Sequence, residues 1–150
     1  MNFWENRKVF TVLYDSKIKG ICEKNKLTQM EYEILMFLYQ NPHHNTATDI
    51  VNSRRLTKSH VSSALKSLEG KEYINRYFET NNSKTIYIEL TPLSDPIVQK
   101  GLMIQEEFLE SLFDGFSDEE KQMCHTFLNV FVKMRKKNCG TNNKDLLGAY

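Results

Sequence analysis

Ser59, His60 and Ser62 place two hydroxyls and an imidazole in one short run of the 150-residue chain, the group types from which a nucleophile and its base are made. The spacing defeats that use, because neighbours on a helix point in different directions and no carboxylate is placed to orient His60. With no glycine-rich phosphate loop either, no catalytic residue and no enzyme is expected. His43 and His44 stand in a Pro-His-His-Asn run without a C-x-x-C or H-x-x-x-H partner, so neither a metal nor another cofactor is expected. Cys22, Cys124 and Cys139 are odd in number and far apart, which fits reduced thiols rather than a disulfide framework. What remains is the run Lys58, Ser59, Ser62, Ser63 and Lys66, with His60 as a marginal member. These side chains hydrogen-bond well, carry positive charge and seldom obstruct close approach, which suits a groove in a polyanion.

The elements that must position this run follow from periodicity and caps. Phe3, Phe10, Leu13, Tyr14, Ile18, Ile21 and Cys22 recur at helical spacing and predict a first helix over 3–22. Thr28 with Glu31 forms a capping box before the apolar run Ile34 to Tyr39, and this second helix should end near Asn41-Pro42. A third helix of about two turns should start at Thr46, with Asp49 as cap partner and Ala47, Ile50 and Val51 inside. Thr57 can cap a fourth helix, with Leu56 and Val61 as a hydrophobic staple and Val61, Ala64, Leu65 and Leu68 facing inward. Ile74, Arg76 and Phe78, and again Ile86, Ile88 and Leu90, alternate with polar and aromatic neighbours as two strands. Thr80 to Lys84 supply the residues for a hairpin turn between them. After Pro92 and Pro96, the near-heptad Ile97, Gly101, Ile104, Phe108 and Leu112 predict a fifth helix. Ser117 with Glu120 caps a sixth, carrying Cys124, Phe127, Leu128, Phe131 and Met134, and residues 138–150 read as a flexible tail. The fold class expected is mainly α with a small antiparallel β-hairpin (α+β): a winged helix-turn-helix flanked by N- and C-terminal dimerisation helices. A single domain over 1–150 is expected, with the winged-helix lobe at 28–91 and dimerisation helices at 1–24 and 95–137.

Charge points to the same segment. Residues 54–84 hold seven basic side chains (Arg54, Arg55, Lys58, Lys66, Lys71, Arg76, Lys84) against three acidic ones, although the whole chain carries only +1. A positive central segment coinciding with the helix pair and hairpin predicts double-stranded DNA as partner, the fourth helix entering the major groove. On that arrangement Lys58, Ser59, Ser62, Ser63 and Lys66 contact bases and backbone, Arg54, Arg55, Arg76 and Lys84 contact phosphates, and Lys84 could reach the minor groove. A winged helix used only for protein association, without specific DNA binding, is the alternative. The longest run without acidic or basic residues, Ile34 to Thr48, is interrupted by polar residues and spans no membrane. Glu5, Arg7 and Lys8 break up any secretion signal, so a cytoplasmic protein is expected.

The stretch Thr46 to Gly101 resembles the winged-helix core of MarR-type transcriptional regulators, most specifically in Leu56 to Glu69, Ile74-Asn75-Arg76 and Leu90-Thr91. With the flanking helices, the resemblance covers about residues 3 to 137. It implies a homodimer on a pseudo-palindromic operator, built through the first, fifth and sixth helices and acting as a repressor. It also implies a small aromatic or anionic effector between dimer core and DNA lobe, near Tyr14, Met36, Tyr39 or Phe108. Some relatives sense peroxide through a first-helix cysteine beside tyrosines, so the resemblance leaves a thiol-based alternative open at Cys22, near Tyr14 and Tyr32, where Lys19, Lys24 and Lys26 could lower its pKa. Two departures stand out. The tip has Asn81, Asn82, Ser83 and Lys84 where the family usually has an Asp-x-Arg arrangement, and Glu72 stands where glycine is frequent, so a different helix exit is expected there.

Overall fold

The computed structural model describes residues 3–54, 56–80 and 82–138. Six helices and one hairpin follow in the order α1 (Phe3–Lys24), α2 (Gln29–Gln40), α3 (Ala47–Arg54), α4 (Lys58–Gly70), β1 (Ile74–Glu79), β2 (Asn82–Leu90), α5 (Asp95–Leu112) and α6 (Asp118–Asn138), with a 3-10 turn at Pro92–Ser94. The three cap pairs form as expected. Thr28 N–H donates to Glu31 Oε2 at 2.6 Å while Glu31 N–H donates to Thr28 Oγ1 at 3.2 Å. Thr46 pairs with Asp49, and Ser117 with Glu120, by the same reciprocal bonds. Arg55 and Asn81 lie outside the described residues, as does the expected tail except for Asn138, which closes α6.

The core gathers around α2, whose Tyr32, Ile34, Leu35, Met36, Phe37 and Leu38 are buried between α1, α4 and α5. Ile18, Ile21 and Cys22 of α1, Val61, Leu65 and Leu68 of α4, and Ile97, Val98 and Ile104 of α5 complete it. Of the inner set expected on α3, Ile50 is buried and Val51 half-buried, but Ala47, the first residue of the helix, is exposed. The apolar stripe of α1 divides likewise. Its C-terminal half is buried, whereas Phe10 and Leu13 are exposed together with Val9 and Val12. On α6, Met123 is 72% and Phe127 65% exposed, while Cys124 is half-buried. The side chains of Leu128, Phe131 and Met134 lie outside what is described.

The hairpin is tighter than expected. Ile74 pairs with Leu90, Arg76 with Ile88 and Phe78 with Ile86, after which a bulge shifts the register and Glu79 pairs with Asn82. Asn82, Ser83 and Lys84 therefore belong to β2 and not to the turn, since a bulge absorbs the extra residues within the strand. Thr46 bridges to Tyr87, and Ile88 N–H donates to Asn45 O at 2.8 Å, which fastens the hairpin to the start of α3.

Glu72 contradicts the expectation of a different helix exit. Its φ is 60°, the left-handed conformation that glycine would adopt, and its N–H donates to Glu69 O at 3.0 Å while Tyr73 N–H donates to Leu68 O at 3.0 Å. These are the two bonds of a Schellman C-cap, so the turn demanded by α4 overrides the residue type. A left-handed non-glycine residue costs about 1–2 kcal/mol, partly offset by the greater unfolded-state freedom of glycine. Glu72→Gly is accordingly expected to raise stability by roughly 0.5–1 kcal/mol. Urea unfolding would show a higher midpoint at unchanged slope; a lower midpoint would refute the strain.

Candidate nucleic-acid interface

A step of about 100° per residue distributes the side chains of α4 into opposed faces. Val61, Ala64, Leu65 and Leu68 are buried, and on the opposite face Ser59, Ser62, Ser63 and Lys66 are all exposed. Thr57 caps the helix by accepting from His60 N–H at 3.4 Å, and Leu56 is packed against the core. Lys58 and His60 occupy the two flanks. Lys58 lines a cleft with Thr48, Ser62 and Arg76, whereas His60 and Ser63 border a shallow hollow beside Thr28 and Met30 of the α2 start. The expected set thus stays together on one helix, with Lys58 turned toward the hairpin and His60 away from it.

The outlying cations are placed differently from one another. Arg76 on β1 faces α4, its Nε 3.2 Å from Glu69 Oε2. Lys84 is exposed on β2. Arg54, expected on a phosphate, donates from Nη2 to Glu33 Oε2 at 2.7 Å, the pair remaining partly open to water. The carboxylate that captures it comes from α2, 21 residues earlier, a pairing invisible in local sequence.

That ion pair borders a cavity of about 390 Å³ between α1, α2, α5 and the end of α3. Of the four residues named from the sequence, Tyr14, Met36 and Phe108 line it; Tyr39 does not, being 44% exposed on another face of α2. Sequence reading missed Tyr32, Glu33 and Gln105 on its wall. The helical spacing of Tyr32 and Met36 on α2 is the one signal that could have added Tyr32. The Tyr14 and Tyr32 hydroxyls lie 3.3 Å apart, Gln105 Nε2 donates to the Tyr14 hydroxyl at 3.3 Å, and the Tyr14 ring meets Phe108 edge-on at 5.3 Å. Burial, and then the bond to Tyr14, push the Tyr32 hydroxyl above its usual range, so it stays protonated.

Cys22 is buried, and burial first, then the nearby Glu31, Glu33 and Glu23 carboxylates, push its thiol up. The flanking lysines named from the sequence are not what shifts it; burial and these carboxylates are. His44 Nδ1 lies 3.8 Å from Asp49 Oδ1. Among the described residues no three His, Cys, Asp or Glu side chains gather to hold a metal ion, and no helix is long and apolar enough to cross a membrane.

Known proteins share this arrangement. The MarR family model matches residues 27–86, the span from the start of α2 into the hairpin. The transcriptional regulator ZitR of Lactococcus lactis subsp. cremoris is 30% identical over 118 residues, covering 76% of this chain and 80% of its own. The transcriptional regulator AdcR of Streptococcus pyogenes serotype M6 is likewise 30% identical over 118 residues, with 76% and 79% covered. Among solved structures, the S. aureus MepR-DNA complex superposes with a TM-score of 0.61 at 23% identity, covering 85% of this chain and 95% of that one. By its helix order, its hairpin and these relatives, the chain belongs to the MarR family of winged helix-turn-helix transcriptional regulators.

Proposed function

We propose that this protein is a homodimeric, sequence-specific regulator of double-stranded DNA, a ligand-responsive repressor that occupies a pseudo-palindromic operator in the cytoplasm. The observation that carries the reading is the outward face of α4, where Ser59, Ser62, Ser63 and Lys66 are exposed opposite a fully apolar buried face. Short hydroxyls and one cation permit the close approach that major-groove reading requires, and the hairpin stands beside them. The chain shares its fold with S. aureus MepR, a protein whose structure has been solved in complex with DNA.

Dimerisation is supported by the exposed apolar residues Val9, Phe10, Val12 and Leu13 of α1 and Met123 and Val130 of α6. Exposed apolar residues clustered this way mark association surfaces, and a two-fold dimer would present two copies of α4 to two half-sites. The cavity beside Tyr14, Met36 and Phe108, with Arg54 at its edge, is where a small aromatic or anionic effector would bind. The raised thiol of Cys22 speaks against the redox alternative, because the thiolate is the reactive form.

The test is binding to the upstream DNA of its own gene and to scrambled DNA, titrated across salt. With about six to ten phosphate contacts, log affinity should fall against log salt with a slope near −5 to −9, and the upstream duplex should bind far more tightly. Lys66→Ala or Ser62→Ala should cost about 1–3 kcal/mol on the preferred sequence and change the preference, whereas Arg76→Ala should weaken every duplex alike. Equal losses on all sequences for Lys66→Ala would refute base reading. Absence of binding at low salt would leave the association module, and a monomer in light scattering would remove the dimer.

A further inference from the structure

We propose that the cleft between α3, α4 and β1 seats one backbone phosphate of the bound duplex, and that Glu69 holds the arginine of this seat when DNA is absent, as an internal competitor. The inference rests on the DNA-binding reading and deepens it by assigning one ligand group to one cleft and a role to a carboxylate.

The cleft measures about 250 Å³; its floor is the apolar Ala47, Val51 and Leu65, and its polar groups come from Thr48 of α3, Lys58 and Ser62 of α4, and Arg76 of β1. Drug-sized ligands occupy roughly 300–1,000 Å³, so this space suits a smaller group. Lys58 and Ser62 are four residues apart on α4 and therefore neighbours along one edge of the helix. Arg76 comes from a different element, so three elements converge on one space. The Lys58 ammonium, the Arg76 guanidinium and the Thr48 hydroxyl are donors suited to a tetrahedral anion, and the guanidinium geometry matches phosphate oxygens. Lys58 also opens α4, where the helix dipole favours negative charge.

Glu69 lies near the far end of the same helix, its Oε2 3.2 Å from Arg76 Nε. The pair is partly open to water, the side chains being 44% and 31% exposed, so it is weak and exchangeable. A phosphate entering the cleft offers Arg76 a second anion and meets the like charge of Glu69, which opposes every duplex irrespective of sequence. Glu69 thereby lowers background DNA binding while the base contacts of α4 are untouched.

The experiment is a salt-titrated binding series of the full-length protein on upstream and scrambled duplexes, using Glu69→Gln, Arg76→Ala, Lys58→Ala and the doubles Glu69→Gln/Arg76→Ala and Lys58→Ala/Arg76→Ala. Glutamine keeps the size of the side chain, and a urea melt of each variant verifies folding. Glu69→Gln is expected to tighten both duplexes by about two- to fivefold at low salt, the range that removal of an exposed ion pair permits. The gain should vanish in the Arg76→Ala background. Because both cations serve one phosphate, the Lys58→Ala/Arg76→Ala double should flatten the salt slope by about 0.9 per protomer and no more than that. Unchanged or weaker binding by Glu69→Gln would overturn the competitor, and a double that flattens the slope by about twice that amount would overturn the shared seat; either leaves DNA binding intact. Failure of the unmodified protein to bind any duplex would instead overturn the underlying reading and this inference with it.

Discussion

Gly101→Val is expected to destabilise the protein by about 3 kcal/mol, near the upper end of what overpacking a filled interior costs. A Cβ built on Gly101 would stand 2.5 Å from Met36 Sδ, 2.9 Å from the Tyr32 hydroxyl and 3.0 Å from Met36 Cε. Met36 and Tyr32 are themselves buried; Met36 offers the end of a flexible side chain beside an open cavity, whereas the Tyr32 hydroxyl sits on a rigid ring and is engaged with Tyr14, so the larger valine meets an obstruction that cannot simply rotate away. Only glycine lets α5 approach α2 this closely. Alanine is the informative control: it gains about 1 kcal/mol in helix propensity and loses about 1–3 in packing, so Gly101→Ala should cost less than valine. Its methyl should push Met36 toward the 390 Å³ cavity that Met36 lines. Urea unfolding at fixed protein concentration measures both, the concentration being held because association contributes to apparent stability. A valine variant as stable as the parent would show that α2 and α5 do not need this approach.

Glu31→Ala is the second large effect, expected to cost about 2–4 kcal/mol because it breaks a buried ion pair and a helix cap together. Glu31 is 2% exposed, accepts from Lys71 Nζ at 2.8 Å and from Thr28 N–H at 2.6 Å, and so ties the C-terminal end of α4 to the start of α2. Lys71 Nζ also donates to Lys26 O at 2.8 Å, drawing in the end of α1. Lys71 is 31% exposed, so the stranded ammonium would recover some hydration, which keeps the estimate below the largest pair-breaking values, about 5 kcal/mol. Burial by itself would raise the Glu31 carboxyl, but hydrogen bonds from Lys71, Ser67 and Thr28 outweigh it and hold the carboxyl below its usual range. A depressed folded-state value means the ionised carboxylate stabilises the fold above its unfolded value near 4.5 and loses that contribution as pH falls through the lower folded value. The difference in urea midpoint between the parent and Glu31→Gln should therefore shrink in acid below about that pH. A difference independent of pH would show that charge is not what Glu31 contributes.

Legibility in the sequence followed the range of the interaction. The capping boxes at Thr28, Thr46 and Ser117, the inward set Val61, Ala64, Leu65 and Leu68, and the pairing of the two strands are set by groups near one another in sequence, and all of them form, although of the apolar strand positions Phe78 and Ile86 stay exposed. The α4 face proposed to contact DNA was legible for the same reason, since helical period alone places Ser59, Ser62 and Lys66 opposite the apolar residues. Arg54 was not. A basic residue on a short helix beside a predicted groove suggests phosphate, and only packing brings Glu33 within 2.7 Å. Tyr39 follows the apolar run of α2 yet faces solvent, while Tyr32, Glu33 and Gln105 line the cavity.

The residue types and their spacing, by themselves, determined the order of the helices, the hairpin, the caps and the polar face of α4, because each depends on backbone hydrogen bonds and side-chain periods that act over one or two turns. Tertiary structure alone decided that Arg54 pairs with Glu33, that Gly101 admits α2 against α5, and that Arg76, Lys58 and Ser62 line one cleft while Arg76 also reaches Glu69. These features depend on how closely elements distant in sequence approach one another, and that approach is set by the volumes filling the shared interior rather than by any local pattern.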